Sequence, residues 1–244
     1  LSTLYDEQGS SSGLSETWER EGPLIEEADH RYRRRLDYAQ MMSKVPEARA
    51  DAVRLLREAA EARPGEADAL EIMQALRGAF EPTDAFYHSL ARLEFDGLER
   101  AERWAEACEQ ISAYIPALEE PREQALLWRR LADNQESQLG ESGRALESVC
   151  RAFELIPEER LIRVKLEEQG LKAGDIERVV DVMGSVVDRE PAGDLVSELR
   201  RVRARLYEKE LDKPAEALAE WLALSGGELS HDANILVPME RLYR

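Results

Sequence analysis

The residues that could do chemistry near neutral pH are few and scattered along the chain. There are three histidines, His30, His88 and His231, and two cysteines, Cys108 and Cys150. Zinc sites are built from His, Cys and acidic ligands at short, defined spacings, and none of these histidines has such neighbours. No glycine-rich phosphate loop or nucleophile elbow occurs either. The sequence therefore predicts no catalytic centre, no metal and no cofactor.

Paired carboxylates are a second catalytic device, and this chain is rich in them, for example at Glu26-Glu27 and Glu158-Glu159. Acid–base catalysis needs one carboxyl group whose pKa is shifted by its surroundings. The sequence marks out no such group, so we interpret these pairs as solvated helix faces and favourable charges at helix N-termini. We expect a protein that is not an enzyme.

Arginine is the residue type whose placement suggests binding. Superposing the predicted helix pairs puts Arg34, Arg129 and Arg201 at one position, which His88 and Val164 occupy in two other pairs. A planar guanidinium binds a carboxylate at two points, so these residues are candidates for binding a partner's acidic groups. The alternative is that they are solvated and paired with nearby glutamates, in ion pairs of small individual strength.

The composition limits the class of protein. The formal net charge is −18, which argues against nucleic acid as a partner, because binding it requires cations that neutralise phosphates. The residues are mostly strong helix formers, and no run is long and apolar enough for a membrane span. Isolated cysteines without a disulfide framework favour a cytoplasmic location, and the excess of arginine over lysine is typical of a GC-rich bacterial genome.

One stretch, residues 127–157, defines the structural unit. It contains two amphipathic helices whose apolar residues recur at three- and four-residue intervals. Gly140 lies in the turn between them, and Pro157 closes the pair. A single hairpin of this size cannot bury its own apolar stripes. We therefore expect similar hairpins packed on both sides of it.

The unit recurs along the chain. The closing prolines Pro116, Pro157 and Pro191 lie 41 and 34 residues apart (157 − 116 and 191 − 157), near the period of about 34 residues of known helix–turn–helix arrays. Residues 66–80 form an extra helix that pairs either backward with 52–61 or forward with 85–95. We predict a single repeat domain over residues 1–244, divided into segments 1–23, 24–64, 66–118, 121–157, 158–190, 193–227 and 231–244.

Glycine and proline also predict where individual helices stop. We expect a flexible turn over residues 9–13, helix ends at Gly97 and Gly170, and the end of another helix before Pro64.

The two ends of the chain resemble each other. Leu1, Leu4 and Tyr5 match Met239, Leu242 and Tyr243, so the chain starts and stops inside equivalent helices. Natural arrays carry polar capping repeats at both ends. We expect the sequence to be a segment of a longer protein.

The pattern resembles the tetratricopeptide repeat (TPR) superfamily in a divergent form. The matching residues in the unit are an aromatic, a leucine, small residues and a closing proline: Trp128, Leu131, Ala132, Ala145, Ala152 and Pro157. Alanine replaces the family's glycine at position 132, and Val149 stands where an aromatic is expected. The resemblance implies an all-α fold, a right-handed αα-superhelix of about five to six helix pairs. Its first helices would line a concave groove.

The resemblance also implies a function, a non-catalytic scaffold that holds a peptide or helix of another protein in this groove. The groove candidates are six polar residues on predicted first helices: Arg34, His88, Arg129, Asn134, Arg201 and Arg205. A partner with acidic side chains or a C-terminal carboxylate suits them. The alternative is an assembly module that self-associates or packs on other domains of its parent chain.

The groove hypothesis predicts that Arg34→Glu, Arg129→Glu or Arg201→Glu abolishes partner binding without unfolding the chain. Each reversal replaces attraction for a carboxylate by repulsion on the predicted groove face. A pull-down with the partner measures binding, and circular dichroism checks the fold. Unchanged binding in all three variants would exclude an arginine-lined groove.

Overall fold

The computed structural model describes residues 11–64, 66–225 and 233–243. Within these residues there are 13 α-helices and no strand, so the predicted all-α class is confirmed. Short 3₁₀ turns at Gly22–Leu24, Pro46–Ala48 and Ile115–Ala117 join some of them. The α-helices, in chain order, are α1 Ser11–Glu21, α2 Ala28–Ser43, α3 Arg49–Ala62, α4 Ala67–Arg77, α5 Ala85–Arg100, α6 Trp104–Tyr114, α7 Pro121–Ser137, α8 Ser142–Leu155, α9 Arg160–Ala173, α10 Ile176–Arg189, α11 Asp194–Lys209, α12 Pro214–Ser225 and α13 Ala233–Tyr243.

Local signals begin and end many of these helices. The side chain of Asp84 accepts a hydrogen bond from the backbone N–H of Phe86 and caps α5, and Asp175 caps α10 in the same way. Gly140, between α7 and α8, and Gly174, after α9, have φ values of 67° and 69°. This left-handed conformation suits glycine, which has no Cβ to clash with the backbone.

Three predicted helix boundaries were wrong. Residues 11–13, predicted as part of a flexible turn over 9–13, belong to α1, whereas Gly9 and Ser10 lie outside the described residues. Gly97 lies inside α5 and Gly170 inside α9, although both were predicted to end their helices. A Cβ at Gly97 would lie 3.2 Å from Leu70 Cδ2, so this glycine allows α4 and α5 to approach closely.

The chain divides into two compact units, Leu1–Ala117 and Leu118–Arg244. In unit 1, α2 packs against α3, and α4 packs most extensively against α5, which also contacts α3 and α6. The segment 66–80 therefore pairs forward, resolving the choice that the sequence left open. The unit's core contains large buried side chains from these helices, including Tyr38, Met42, Leu55, Leu56, Met73 and Leu90.

In unit 2 each helix from α7 to α13 packs against the next one in the chain. Its main core is built from α7 to α11 and includes Val149, Phe153, Leu166, Val179, Met183 and Leu199. A smaller cluster joins Ala204, Trp221, Leu224 and Ile235. Packing between sequence neighbours is typical of repeat proteins.

The close contact between α9 and α10 at Gly170 supplies a stability test. A Cβ at Gly170 would lie 2.3 Å from Val179 Cγ2, a clash that requires Val179 to move or the two helices to separate. We expect Gly170→Ala to lower the free energy of unfolding by about 1–3 kcal/mol, the usual cost of overpacking. Urea denaturation measures it.

Gly143→Ala is the matched control, because Gly143 is also helical but has no heavy atom within 4 Å of its ideal Cβ. This variant should be neutral or up to about 1 kcal/mol more stable. Adding Val179→Ala to Gly170→Ala should cost less than the sum of the two single changes. Additive losses would contradict the proposed clash.

Candidate functional site

The two groove candidates in unit 1 both have partners within the unit. On α2, the Arg34 guanidinium lies 3.6 Å from an Asp37 carboxylate oxygen and 5.3 Å from the centroid of the Tyr38 ring. On α5, a hydrogen bond of 2.7 Å joins His88 Nδ1 to the hydroxyl of Tyr114, a fully buried residue of α6. His88 is therefore anchored to the core side of its helix.

The four candidates in unit 2 lie on α7 and α11. Arg205 forms an ion pair with Glu167 of α9, Asn134 is buried, and Arg201 and Asn134 both interact within the chain. Arg129 is half-buried and has no ion-pair partner among the described residues. That the six candidates line one groove stays a prediction.

Polar side chains join α7 to α9 along one side. Lys165 Nζ lies 2.7 Å from an Asp133 carboxylate oxygen. Glu136 accepts a hydrogen bond of 2.6 Å from Gln169 Nε2 and lies 3.2 Å from Lys172 Nζ. The hydrogen bond from Gln169 is the main cause that lowers the pKa of the Glu136 carboxyl group. These contacts fix the position of α9 relative to α7.

A second row joins α9 to α11 on the other side. The Arg163 guanidinium lies 2.9 Å from a Glu198 carboxylate oxygen and also donates to the backbone carbonyls of Pro157 and Glu158. One turn along α9, Glu167 pairs with Arg205. Thus α9 is held from both sides by charged contacts.

Between these two rows α9 exposes an apolar surface. Leu161, Val164 and Leu171 are 65%, 43% and 53% exposed, and Glu168 lies among them on the same face of the helix. We call these four residues the α9 stripe. Leucine and valine side chains are usually buried, so this exposed group on a fixed helix is a candidate binding surface. Sequence analysis placed Val164 at the groove position but missed the rest of the stripe.

Unit 1 has a groove between α2 and α4. Two adjoining cavities of about 520 Å³ each share Asp37, Gln40, Ile72 and Ala75. We call this feature the α2–α4 groove. Its apolar lining includes Met41, Ile72, Leu76 and Phe80, and its charged lining is Arg33, Asp37, Lys44, Asp68 and Glu71. Sequence analysis missed it, because the pairing of α4 was undecided.

Unit 1 also contains one buried carboxyl group with a shifted pKa, which the sequence did not mark out. Burial raises the pKa of Glu94, while Arg77 and Gln74 partly oppose this effect. Arg77 Nε lies 3.3 Å from one carboxylate oxygen, and Gln74 Nε2 donates to the other at 2.9 Å. Glu94 has no exposed surface, so it joins α4 to α5 rather than facing a substrate.

The other reactive groups of the described residues are likewise not gathered into one accessible site. Burial raises the pKa of the Cys150 thiol to about 12, which keeps it protonated at neutral pH. Within the described ranges, no cluster of three or more His, Cys, Asp or Glu residues is placed to hold a metal ion. His231 lies outside those ranges. Among the helices described, none combines the length and apolar character that a membrane crossing needs.

No protein-family model and no curated protein matches this chain. A solved structure from the computational design of self-assembling cyclic protein homooligomers is similar to it at 13% identity. The match covers 100% of this chain and 95% of that one, with a TM-score of 0.14. A similarity this low carries no argument about fold or function.

Glu94 gives a prediction about pH. Because its folded-state pKa is raised, the carboxyl group contributes stability that is fully present below about pH 4.5 and is lost as the pH rises and the group ionises. We expect Glu94→Gln to gain stability relative to the native protein as the pH rises from 4.5 to 7. Urea denaturation across this range measures the difference.

The remaining carboxylates titrate alike in both proteins, so their contributions cancel in this comparison. Glu106→Gln is a control with the opposite expected pH dependence, because a hydrogen bond from Arg103 lowers the pKa of Glu106. This variant should lose stability relative to the native protein as the pH rises. A stability difference between Glu94→Gln and the native protein that does not change with pH would show that Glu94 is not perturbed.

Proposed function

We propose that this chain is a non-catalytic protein-interaction module built from tandem TPR-like helix pairs. In this proposal about five to six pairs form a right-handed superhelix, and first helices such as α7, α9 and α11 present the binding face. The observation that carries the proposal is the exposed α9 stripe, an apolar surface on a helix fixed by contacts on both sides.

The spacing of polar contacts between alternate helices supports the repeat. In unit 2, Glu147 of α8 accepts from Arg178 of α10 at a separation of 31 residues, and Glu177 of α10 pairs with Lys213, 36 residues later, just before α12. Similar contacts in unit 1 span 33 to 39 residues. Two helices per repeat of about 34 residues account for this spacing.

These contacts also suggest which helices of unit 1 are equivalent. Arg100 of α5 bonds to Glu61 of α3, and Arg77 of α4 bonds to Gln110 of α6. We assign α2 and α4 as first helices and α3 and α5 as second helices. Under this assignment His88, on α5, lies on a second helix and not in the position shared by Arg34.

The α9 stripe suits a partner segment with apolar anchors. Fully burying a leucine or valine side chain contributes about 1.5–3 kcal/mol. The side chains of the stripe are 43% to 65% exposed, so each anchor contributes roughly half of that. Val164 occupies the position that Arg129 and Arg201 hold on the neighbouring first helices, so acidic residues beside the anchors would face arginine. The charged rows hold the face in place before binding, which lowers the entropic cost.

A selection from a random peptide library on the full 244-residue chain tests this function. We expect peptides with apolar residues at regular spacing, and loss of at least tenfold in their affinity for a Leu161→Asp, Val164→Asp double variant. Both side chains are exposed, so the fold should persist, which thermal melting checks. Leu222→Asp is the control, since Leu222 is an exposed leucine of the second helix α12.

Light scattering on the same proteins tests the alternative function, in which the chain self-associates. A concentration-dependent mass that the double variant abolishes would make a second copy of this chain the occupant of the stripe. Equal peptide binding by native protein and double variant, or no enriched peptide, would exclude the α9 stripe as a binding face.

A further inference from the structure

We propose that the α2–α4 groove is a second docking site, which takes a cationic amphipathic segment of a partner protein. This inference rests on the proposed function as an interaction module and adds the chemistry of a partner. It concerns unit 1 alone and uses residues that the α9 stripe does not include.

The floor of the groove supplies apolar contacts. Ile72, Leu76 and Phe80 follow one another at four-residue steps along α4 and just beyond its end, and Met41 lines the groove from α2. All four pack against the core but remain partly exposed. Two further contacts fix Phe80. Its ring makes an edge contact with Phe86, and the Arg49 guanidinium lies over the ring, 4.5 Å from its centroid. The floor is therefore already formed.

The charges of the groove favour a cationic occupant. Asp68 and Glu71 are exposed on α4, and Asp37 lies where the two cavities adjoin. Three carboxylates and two cations, Arg33 and Lys44, line the groove. Arg34 pairs with Asp37 from outside the lining, whereas Asp68 and Glu71 have no ion-pair partner among the described residues. The chain as a whole carries −18, which attracts cationic segments over a longer range.

The nearby Tyr32 reports the same negative field. Burial is the main cause that raises the pKa of its hydroxyl, and the charges of Glu66 and Asp68 raise it further. Both carboxylates lie at the start of α4, where the groove is most polar. Arg63 opposes this rise in pKa and pairs with Glu66, so Asp68 is the carboxylate that adds negative charge at this end.

These observations select one occupant. A second copy of this chain also carries −18 and would be repelled. An acidic peptide, which suits the arginines of the first helices, would meet Asp37, Asp68 and Glu71 here. A segment with apolar residues on one face and lysine or arginine on the other matches both the apolar floor and the carboxylates of the groove. Apolar contacts then supply most of the affinity, and the charges supply selectivity and faster association.

Fluorescence anisotropy with a labelled helical peptide tests the inference on the full chain. The peptide has leucines on one face and lysines on the other. We expect it to bind at least ten times more tightly than a Leu/Glu version and than a scrambled Leu/Lys version without an apolar face. Its affinity should fall as salt rises, because the charges are exposed.

The decisive variant is Asp68→Lys with Glu71→Lys, which should weaken Leu/Lys binding at least tenfold. Glu47→Lys with Glu109→Lys is the matched control, since both residues are exposed in unit 1 and the net charge changes equally. An equal loss in both double variants, or equal binding of the scrambled peptide, would show only non-specific attraction and overturn the proposal.

Val164→Asp separates this inference from the function proposed above. It should leave Leu/Lys binding unchanged, because Val164 belongs to α9 in unit 2. Failure of the library selection with retained Leu/Lys binding would exclude the α9 stripe alone. Absence of Leu/Lys binding to the native protein would exclude the α2–α4 groove as the site of a cationic segment.

Discussion

Burial of each helix by its neighbours in sequence is the constraint on which this structure depends. The helices are 11 to 17 residues long, near the length at which an isolated helix is marginal in water. Each has an apolar face that no single hairpin can cover. Helix α8, for example, buries Leu146 toward its start and Phe153 toward its end within the core of unit 2. The fold is therefore stable only as a set of packed neighbours.

Charge has a different role in this chain. A third of the residues are charged, yet exposed ion pairs contribute little stability individually. The positions of several ion pairs are informative, because these pairs join alternate helices. The contacts of α9 with α7 and α11 orient α9 and engage cations that would otherwise be free to bind a partner. Arg205 illustrates this, since its guanidinium is engaged by Glu167.

The two candidate surfaces follow from what this packing leaves uncovered. In unit 2 the charged rows flank exposed leucine and valine side chains, and in unit 1 the pairing of α4 with α5 leaves a groove against α2. One surface is apolar between rows of paired charges, and the other is apolar beside carboxylates that include Asp68 and Glu71. Under the proposed function, with arginines of the neighbouring first helices facing the stripe, the two surfaces would discriminate between partner segments by the sign of their charge.

The sequence by itself determined the features that are local. The helical class, the left-handed turn at Gly140, the end of α8 before Pro157 and the end of α3 before Pro64 all follow from propensity, periodicity and glycine or proline chemistry.

Only the tertiary structure decided features that depend on which helices meet. Gly97 and Gly170 carry the same local signal as a helix stop, but both lie inside helices. A Cβ there would lie 3.2 Å from Leu70 Cδ2 and 2.3 Å from Val179 Cγ2, so these glycines serve close packing between helices. Glu94 is buried because α4 packs on α5, and His88 is engaged because Tyr114 of α6 lies within reach. Spacing along one helix defines a face, and contact with another helix decides whether that face is covered.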